Sequence, residues 1–282
     1  MDDDAITPPA LGAALEVFGF PVTAGLTDAS GTLVLTGAPD AVRPLASVSK
    51  PIAALGVLVA VARGMVDLDE PAGPEGSTVR HLLAHAAGYG FDSPPEQLLA
   101  APGTRRIYSS TGFDVLAEHL EEAPGYPMAE WMETAVVGPL GLIDLDVEGS
   151  PAAGYAGTVA DLLVIGREML APTLVPRDLW DEATSVQFPG LAGILPGYGR
   201  QKPNDWGLGL EIRDGKSPHW TGTKSSPRTF GHFGQSGSFL WVDPDAGLAG
   251  AFLGAEPFGP AHVEHWPAVT DAMLALAGRD RS

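Results

Sequence analysis

A proline followed by an unbroken apolar run most constrains the fold of this 282-residue chain. Residues 52–62 are apolar on every side of a helix, which is typical of a helix buried between layers. Proline is tolerated only in a first turn, so the helix through Pro51 should begin at about Ser47. Arg63 and Gly64 provide a cation and a glycine that end it. The run of 11 residues is too short for a bilayer, which needs about 20.

Ser47 and Lys50 stand three positions apart at the start of this predicted helix. Their side chains should lie on one face, with Cβ atoms about 5–6 Å apart. Unlike arginine, lysine can lose its proton when it is buried beside a nucleophile. Ser47 is therefore a candidate nucleophile and Lys50 a candidate base. The alternative stays open that Ser47 only caps the helix and that Lys50 extends towards solvent.

The composition excludes several classes of partner. The formal net charge of −19 argues against binding to nucleic acid or to an anionic membrane. The absence of cysteine excludes disulfides and thiolate metal ligands. Residues 1–4 are acidic and lack the pattern of an export signal, and no later apolar run reaches membrane length. We therefore expect a cytoplasmic protein, and its oligomeric state is left open.

Strand patterns lie near both chain ends, and helix patterns lie between them. Helices are predicted at about 11–18, 47–62, 79–88, 112–122, 131–137, 159–170 and 267–277. Strands are predicted at 22–27, 31–36, 206–213, 229–242 and 248–253. This order predicts an α+β fold, in which both chain ends complete one antiparallel sheet flanked by helices. We expect residues 1–75 and 205–282 to form the sheet lobe, residues 76–204 to form an inserted, mostly helical lobe, and the active site to lie between them.

Two further stretches concentrate polar groups. Tyr108, Ser109 and Ser110 follow a turn-rich segment, and the stretch 231–237 contains a histidine among glycines. His81 and His85 have a spacing that could hold a metal, but no third ligand is evident and a structural role is favoured. We predict no cofactor and no metal.

Three motifs together resemble those of the serine β-lactamase and penicillin-binding-protein superfamily. Ser47-Val-Ser-Lys50, Tyr108-Ser-Ser110 and His232-Phe-Gly234 correspond to that superfamily's Ser-x-x-Lys, Tyr-x-Asn and Lys/His-x-Gly motifs. The branch that the chain resembles is the class C-like one, which includes family VIII esterases and D-amino-acid-specific peptidases. Flanking stretches such as 64–71, 81–85, 139–142 and 157–162 also look like the family consensus. The resemblance covers most of residues 20–255.

The resemblance implies a role for each motif. Ser47 would form an acyl-enzyme, and Lys50 and Tyr108 would handle its proton. The phenol of Tyr108, with a pKa lowered by adjacent cations, would act as the general base. The backbone N–H groups of Ser47 and Gln235 would form the oxyanion hole.

The resemblance also implies substrate contacts from Ser110, His232, Phe233 and Gly234. Glycine at 234 would let the substrate approach the strand closely, and His232 could supply positive charge or a hydrogen bond. Ser110, His232 and Phe233 replace asparagine, lysine and a hydroxyl residue, and each replacement removes a polar contact to a β-lactam.

These departures favour an esterase or amidase acting on a small uncharged acyl substrate. One alternative is a catalytically silent protein that keeps the fold and binds or senses a ligand. The other is a weak β-lactamase or D-aminopeptidase.

Overall fold

The structure is a computed structural model that describes residues 8–123, 125 and 127–277. The acidic start at residues 1–4 lies outside the described residues. The α-helices are α1 Pro9–Glu16, α2 Ser49–Ala62, α3 Val79–Leu83, α4 Thr111–Glu122, α5 Met128–Met132, α6 Gly138–Leu140, α7 Val159–Leu170, α8 Arg177–Ala183 and α9 Pro260–Ala277. A 3-10 turn, Ala46–Val48, precedes α2, and a π-helical turn, Glu133–Val137, follows α5.

The strands are β1 Val22–Thr27, β2 Thr32–Thr36, β3 Arg43–Pro44, β4 Ala156–Gly157, β5 Gly193–Leu195, β6 Gly199–Gln201, β7 Glu211–Ile212, β8 Phe230–Gly234, β9 Ser238–Asp243 and β10 Leu248–Gly254. In the described part of the chain, six of them form one antiparallel sheet in the order β2-β1-β10-β9-β8-β7. Val22 pairs with Gly254, so the two ends of the chain meet at the centre of the sheet. The α+β fold predicted from the sequence is confirmed.

The sheet is buried on both faces because its strands alternate between two apolar cores. On β9, Leu240 and Val242 belong to one core, and Phe239 and Trp241 belong to the other. The first core lies against α2 and α7, and the second lies against α1 and α9. A period of two is what an extended strand imposes on its side chains.

The central helix forms as its sequence predicts. All of its residues from Ser49 to Ala60 are buried in the first core. The amide of Gly64, at φ +68°, donates to Val61 O at 2.9 Å, and the amide of Met65 donates to Ala60 O at 3.0 Å. These two bonds are the glycine-terminated end that Arg63-Gly64 predicts.

Two strand predictions are wrong in detail. The predicted strand 206–213 is extended only at Glu211–Ile212, where it pairs with β8. The predicted strand 229–242 is a hairpin, β8 and β9, whose turn at 235–237 contains Gly237 at φ +79°. A long buried apolar run hid this turn, because both strands of the hairpin are buried on both faces. The final helix also begins earlier than predicted, at Pro260, and holds Pro267 within it.

The proposed boundaries of the two lobes, at 75/76 and 204/205, stay predictions. None of the helices between residues 8 and 277 that the structure describes is both long and apolar enough to cross a membrane. The cytoplasmic location stays a prediction as well.

Candidate active site

Ser47 lies in the tight turn that precedes α2, and β9 and the residue before β4 hold this turn in place. Ala46, directly before it, has φ +46°, which is uncommon for a residue with a side chain. The Ser238 hydroxyl on β9 donates to Leu45 O at 2.8 Å, and the Leu45 amide donates to Tyr155 O at 2.8 Å. Ser47 is 8% exposed and lines a large cavity. The candidate nucleophile is thus held in place by contacts from distant segments.

Lys50 extends from the first turn of α2 into a dry, polar niche and is 0% exposed. Its Nζ lies 3.5 Å from Ser47 Oγ and 3.3 Å from Ser110 Oγ, and it donates to Ala152 O at 2.7 Å. A carbonyl oxygen can only accept a hydrogen bond, so one N–H is committed to Ala152. A neutral amine has two N–H donors and one lone pair. With donors on Ala152 and Ser110, its lone pair can face the Ser47 hydroxyl.

Burial lowers the pKa of Lys50 from 10.5 to about 7, because the charged form loses its hydration. The carboxylate of Asp114 on α4 opposes this effect by raising the pKa. A substantial neutral fraction therefore exists near neutral pH, which a general base requires.

Tyr108 lines the same cavity as Ser47, and its ring lies under the amine, with Lys50 Nζ 4.7 Å from the ring centroid. Its hydroxyl is buried and makes no hydrogen bond of normal geometry within the described residues. Burial raises the pKa of the phenol, and the nearby Ser47 hydroxyl only partly offsets this. The expectation that adjacent cations lower this pKa is therefore wrong, because desolvation raises it. Tyr108 keeps its proton at neutral pH.

His232 is buried on β8 at the cavity wall. Its Nδ1 lies 2.6 Å from Phe233 O, and because a carbonyl only accepts, Nδ1 must hold the proton. Burial, followed by the charge of Lys50, lowers the pKa of His232 to about 3. The ring is therefore neutral, and the suggested positive charge at this position is not present. Nε2 is an acceptor that has no partner in the described part of the chain.

His85, which the sequence assigns to a structural role, lies beside these groups. Its ring centroid is 4.7 Å from that of Tyr108 and 4.5 Å from that of Trp206. The Ser109 amide donates to its Nδ1 at 3.2 Å, so the neutral ring holds its proton on Nε2. His81 instead bonds Thr78 at 2.9 Å, so the two histidines do not act as a pair. The predicted helix 79–88 ends at Leu83, and His85, two residues later, has φ +54°, so no local sequence pattern indicated its place beside Tyr108.

The remaining predicted residues have different surroundings. Gln235 is exposed, follows β8 directly and lines the cavity beside Ser47. The Phe233 ring lines the cavity and packs 4.9 Å from the Phe258 ring in the second core. A Cβ on Gly234 would meet Leu45 O at 2.3 Å. The close approach that this glycine permits is therefore to the backbone before Ser47. Ser110 faces Lys50, and its contact with a substrate stays a prediction.

The cavity has a volume of about 1060 Å³, at the upper end of the range for small-molecule sites. Aromatic and aliphatic side chains dominate its lining. Besides the residues described above, these apolar side chains include Phe91, Ile107, Ile194, Leu195 and Trp220. The arrangement suits an acyl group of considerable size whose carbonyl carbon meets Ser47.

Comparisons with known proteins show the family and the fold of the chain. The beta-lactamase family model matches residues 24–274. The crystal structure of a beta-lactamase from Mycobacterium bovis is 50% identical, with a TM-score of 0.90, and the match covers 94% of this chain and 99% of that one. EstCE1, described as a hydrolase with promiscuous acyltransferase activity, is 17% identical with a TM-score of 0.75, covering 94% and 96% of the two chains. At that identity the likeness shows the fold alone.

A protein of Salmonella paratyphi B, named for an inferred D-alanyl-D-alanine carboxypeptidase activity, is 25% identical over 203 residues. The match covers 56% of this chain and 47% of that protein. The chain therefore spans about half the length of the curated relatives it matches.

Proposed function

The chain belongs to the beta-lactamase family, and from that premise we propose that it is a serine hydrolase that forms an acyl-enzyme on Ser47 with an ester or amide substrate. One observation carries the proposal. The amine of Lys50, with a pKa lowered to about 7, lies 3.5 Å from Ser47 Oγ at the wall of a large cavity. Metal and cofactor are not part of the proposal.

In the acylation step, neutral Lys50 takes the proton of Ser47 while Oγ attacks the substrate carbonyl carbon. The negative charge that develops on the carbonyl oxygen is stabilised by the backbone N–H groups of Ser47 and Gln235. Tyr108 donates its proton to the leaving oxygen or nitrogen as that bond breaks, and Lys50 returns a proton to the phenolate. In the second step, water attacks the acyl-enzyme and Lys50 takes its proton. Ser47 leaves with a proton, and the free acid is released.

This mechanism reverses the role that the sequence suggested for Tyr108. A phenol whose pKa is raised by burial is a poor base and a suitable proton donor. Lys50 has the lowered pKa and the free lone pair, so it suits the base.

The proposal is tested with a fluorophosphonate probe and a panel of p-nitrophenyl esters, a chromogenic cephalosporin and D-amino-acid amides. Wild type should be labelled once, on the peptide that contains Ser47, and should hydrolyse esters. Ser47→Ala should abolish both, whereas Ser49→Ala, which alters a neighbouring serine that accepts a 3.0 Å bond from the Tyr155 amide, should still be labelled.

The panel also separates the two alternatives. Turnover of the cephalosporin or of the D-amino-acid amides above that of the esters would favour a weak β-lactamase or D-aminopeptidase. Wild type that resists labelling, under conditions that label a known serine hydrolase, would favour a catalytically silent protein.

A further inference from the structure

The electrostatics of the cavity contrast with those of the whole chain. The protein has 35 acidic and 16 basic residues. Among the described residues that line the cavity, the charged ones are Arg105, Arg106, Arg200 and Glu211. An acidic protein thus has a cavity lined by three arginines and one glutamate.

The glutamate does not balance these arginines. Glu211 is 2% exposed and forms an ion pair with Lys216, and its second oxygen lies 2.9 Å from Nε2 of His219. Although burial alone would raise it, the pKa of Glu211 is lowered to about 2, because Lys216 and His219 stabilise its charged form. Its negative charge is therefore already compensated inside the wall.

Arg106 is buried and forms no direct ion pair in the described part of the chain, although the nearby charge of Asp205 favours its charged form. Its guanidinium donates to the carbonyl oxygens of Ala84 at 2.5 Å, Asn204 at 3.0 Å and Gln187 at 2.5 Å. Carbonyl oxygens satisfy its N–H groups but do not neutralise its charge. A buried cation, whose charge Asp205 offsets only in part, therefore stands behind the wall of the cavity.

Arg105 and Arg200 are exposed, and neither makes an ion pair or a hydrogen bond with any residue that the structure describes. The two segments that contain Arg105 and Arg200 are joined by a backbone hydrogen bond. The Arg106 amide donates to Ala192 O at 3.2 Å, next to the β5–β6 hairpin that contains Arg200. A Cβ on Gly193 would meet Arg106 O at 2.5 Å, which shows how closely the segments pack.

The hairpin also presents an apolar group beside its arginine. Ile194 and Arg200 are direct partners across β5 and β6, so their side chains share one face. Ile194 is 66% exposed and Phe91 is 55% exposed, and both line the cavity. Large apolar side chains left in water beside unpaired guanidinium groups fit a ligand that is apolar along its length and anionic at one end.

We propose that the site acts on acyl substrates with a long apolar chain that ends in an oxyanion, a carboxylate or a phosphate, bound by Arg105 and Arg200. This inference rests on the proposed function and replaces the small uncharged substrate expected from the sequence. Ser47 meets the carbonyl carbon, and the apolar lining holds the chain. Because neither guanidinium group pairs with a residue that the structure describes, the ligand does not have to break an ion pair seen there.

The test compares matched esters that differ only at the far end of the acyl chain: p-nitrophenyl octanoate, mono-p-nitrophenyl suberate, and an analogue ending in a phosphate monoester. Each is measured on wild type, Arg105→Gln, Arg200→Gln and the double variant. Arg177→Gln is the matched control, since Arg177 is an exposed arginine of α8 that pairs with Asp181 outside the cavity.

In wild type, we expect kcat/KM for an anionic ester to exceed that for the neutral ester by about tenfold, mainly through KM. Each substitution should lower this ratio about three- to tenfold, and high salt should lower it in wild type. Arg177→Gln should keep it. Comparing the carboxylate and phosphate arms identifies which oxyanion is preferred. A wild-type ratio of one or less for both anionic esters, or a ratio that the cavity arginines do not change, would overturn the proposal.

A binding measurement separates this inference from the proposed function. In Ser47→Ala, which cannot form the acyl-enzyme, calorimetry compares suberic acid monoanilide with octanoic acid anilide. Tighter binding of the acid, lost in Arg105→Gln/Arg200→Gln on the same background, would support the anion subsite even if wild type hydrolyses nothing. Equal binding of the two compounds would reject the subsite even if Ser47 is labelled.

Discussion

The Nζ atom of Lys50 donates a 2.7 Å hydrogen bond to the carbonyl oxygen of Ala152, a residue 102 positions away in the chain. This bond fixes the orientation of the amine. It uses one N–H and directs the other hydrogen-bonding positions of Nζ towards Ser110 and Ser47. A lysine held in this way can present a lone pair to a hydroxyl whenever it is neutral.

The pH dependence of labelling should follow the protonation of the Lys50 amine. Its pKa is lowered to about 7, so the amine is protonated and inactive below that pH and neutral and active above it. The rate of fluorophosphonate labelling should rise with pH and level off, with a midpoint near 7. His232, with a pKa lowered to about 3, should add no second step near neutral pH. Lys50→Met should lower the plateau by about 10²–10⁴-fold. A profile that is flat between about pH 5 and 9 would contradict Lys50 as the base.

Replacing Asp114 should move that midpoint. Its carboxylate raises the pKa of Lys50, so Asp114→Asn should lower the pKa and shift the labelling profile to lower pH. Below the midpoint, the rate should rise about twofold. Asparagine keeps an oxygen for the 2.6 Å bond from the Ser150 hydroxyl. Asp178→Asn, a change at an exposed carboxylate of α8, is the control and should leave the midpoint in place. A shift to higher pH would be the wrong sign for this electrostatic effect.

The role of Tyr108 can be tested by comparing esters with different leaving groups. If the phenol donates a proton, Tyr108→Phe should slow hydrolysis of an alkyl ester by about 10²–10⁴-fold, because an alkoxide leaves poorly without a proton. Hydrolysis of a p-nitrophenyl ester, whose leaving group needs no proton, should be slowed much less. Labelling by a fluorophosphonate should also be slowed much less. The measurement is kcat/KM for the two esters. An equal loss on both, together with slow labelling, would mean that the phenol acts as the base.

Gly234 tests how tightly the sheet and the nucleophile turn are packed. A Cβ at this position would lie 2.3 Å from Leu45 O and 2.5 Å from Ser238 Oγ, so Gly234→Ala must displace the backbone before Ser47. We expect a loss of about 1–3 kcal/mol in the free energy of unfolding, measured with urea, and slower labelling. Gly215→Ala, where a Cβ meets nothing within 4 Å, should have little effect on either. Unchanged labelling in Gly234→Ala would show that the turn tolerates the displacement.

The sequence predicted the parts of the site that depend on local geometry. Ser47 and Lys50 followed from a helical spacing and from the proline that fixes where the helix begins. The contacts of Lys50 with Ala152 and Ser110 are made by segments distant in the chain, and no local sequence pattern indicates them. The protonation of Tyr108 and His232 was misjudged for the same reason. Burial depends on the completed fold, and it raises the pKa of Tyr108 and lowers that of His232, which the charge of Lys50 lowers further.

For the fold too, local sequence patterns predicted some elements and missed others. Alternation and turn residues located β1, β2 and β10, whereas β8 and β9 were merged because both are buried throughout. The error concerned the site directly, because the missed turn places Gln235 at the end of a strand, next to the nucleophile.

The contacts of β8 and β9 with the turn before Ser47 have a consequence for synthesis of the protein on the ribosome. Ser47 and Lys50 emerge early, but the Leu45 carbonyl beside them is held by Ser238, and the turn rests against β8. A nascent chain that ends before residue 230 therefore has its nucleophile and its base without the strand that should complete the oxyanion hole. Under the proposed mechanism, such a chain should not react with acyl groups, and Ser47 should become reactive only when the last strands have been made.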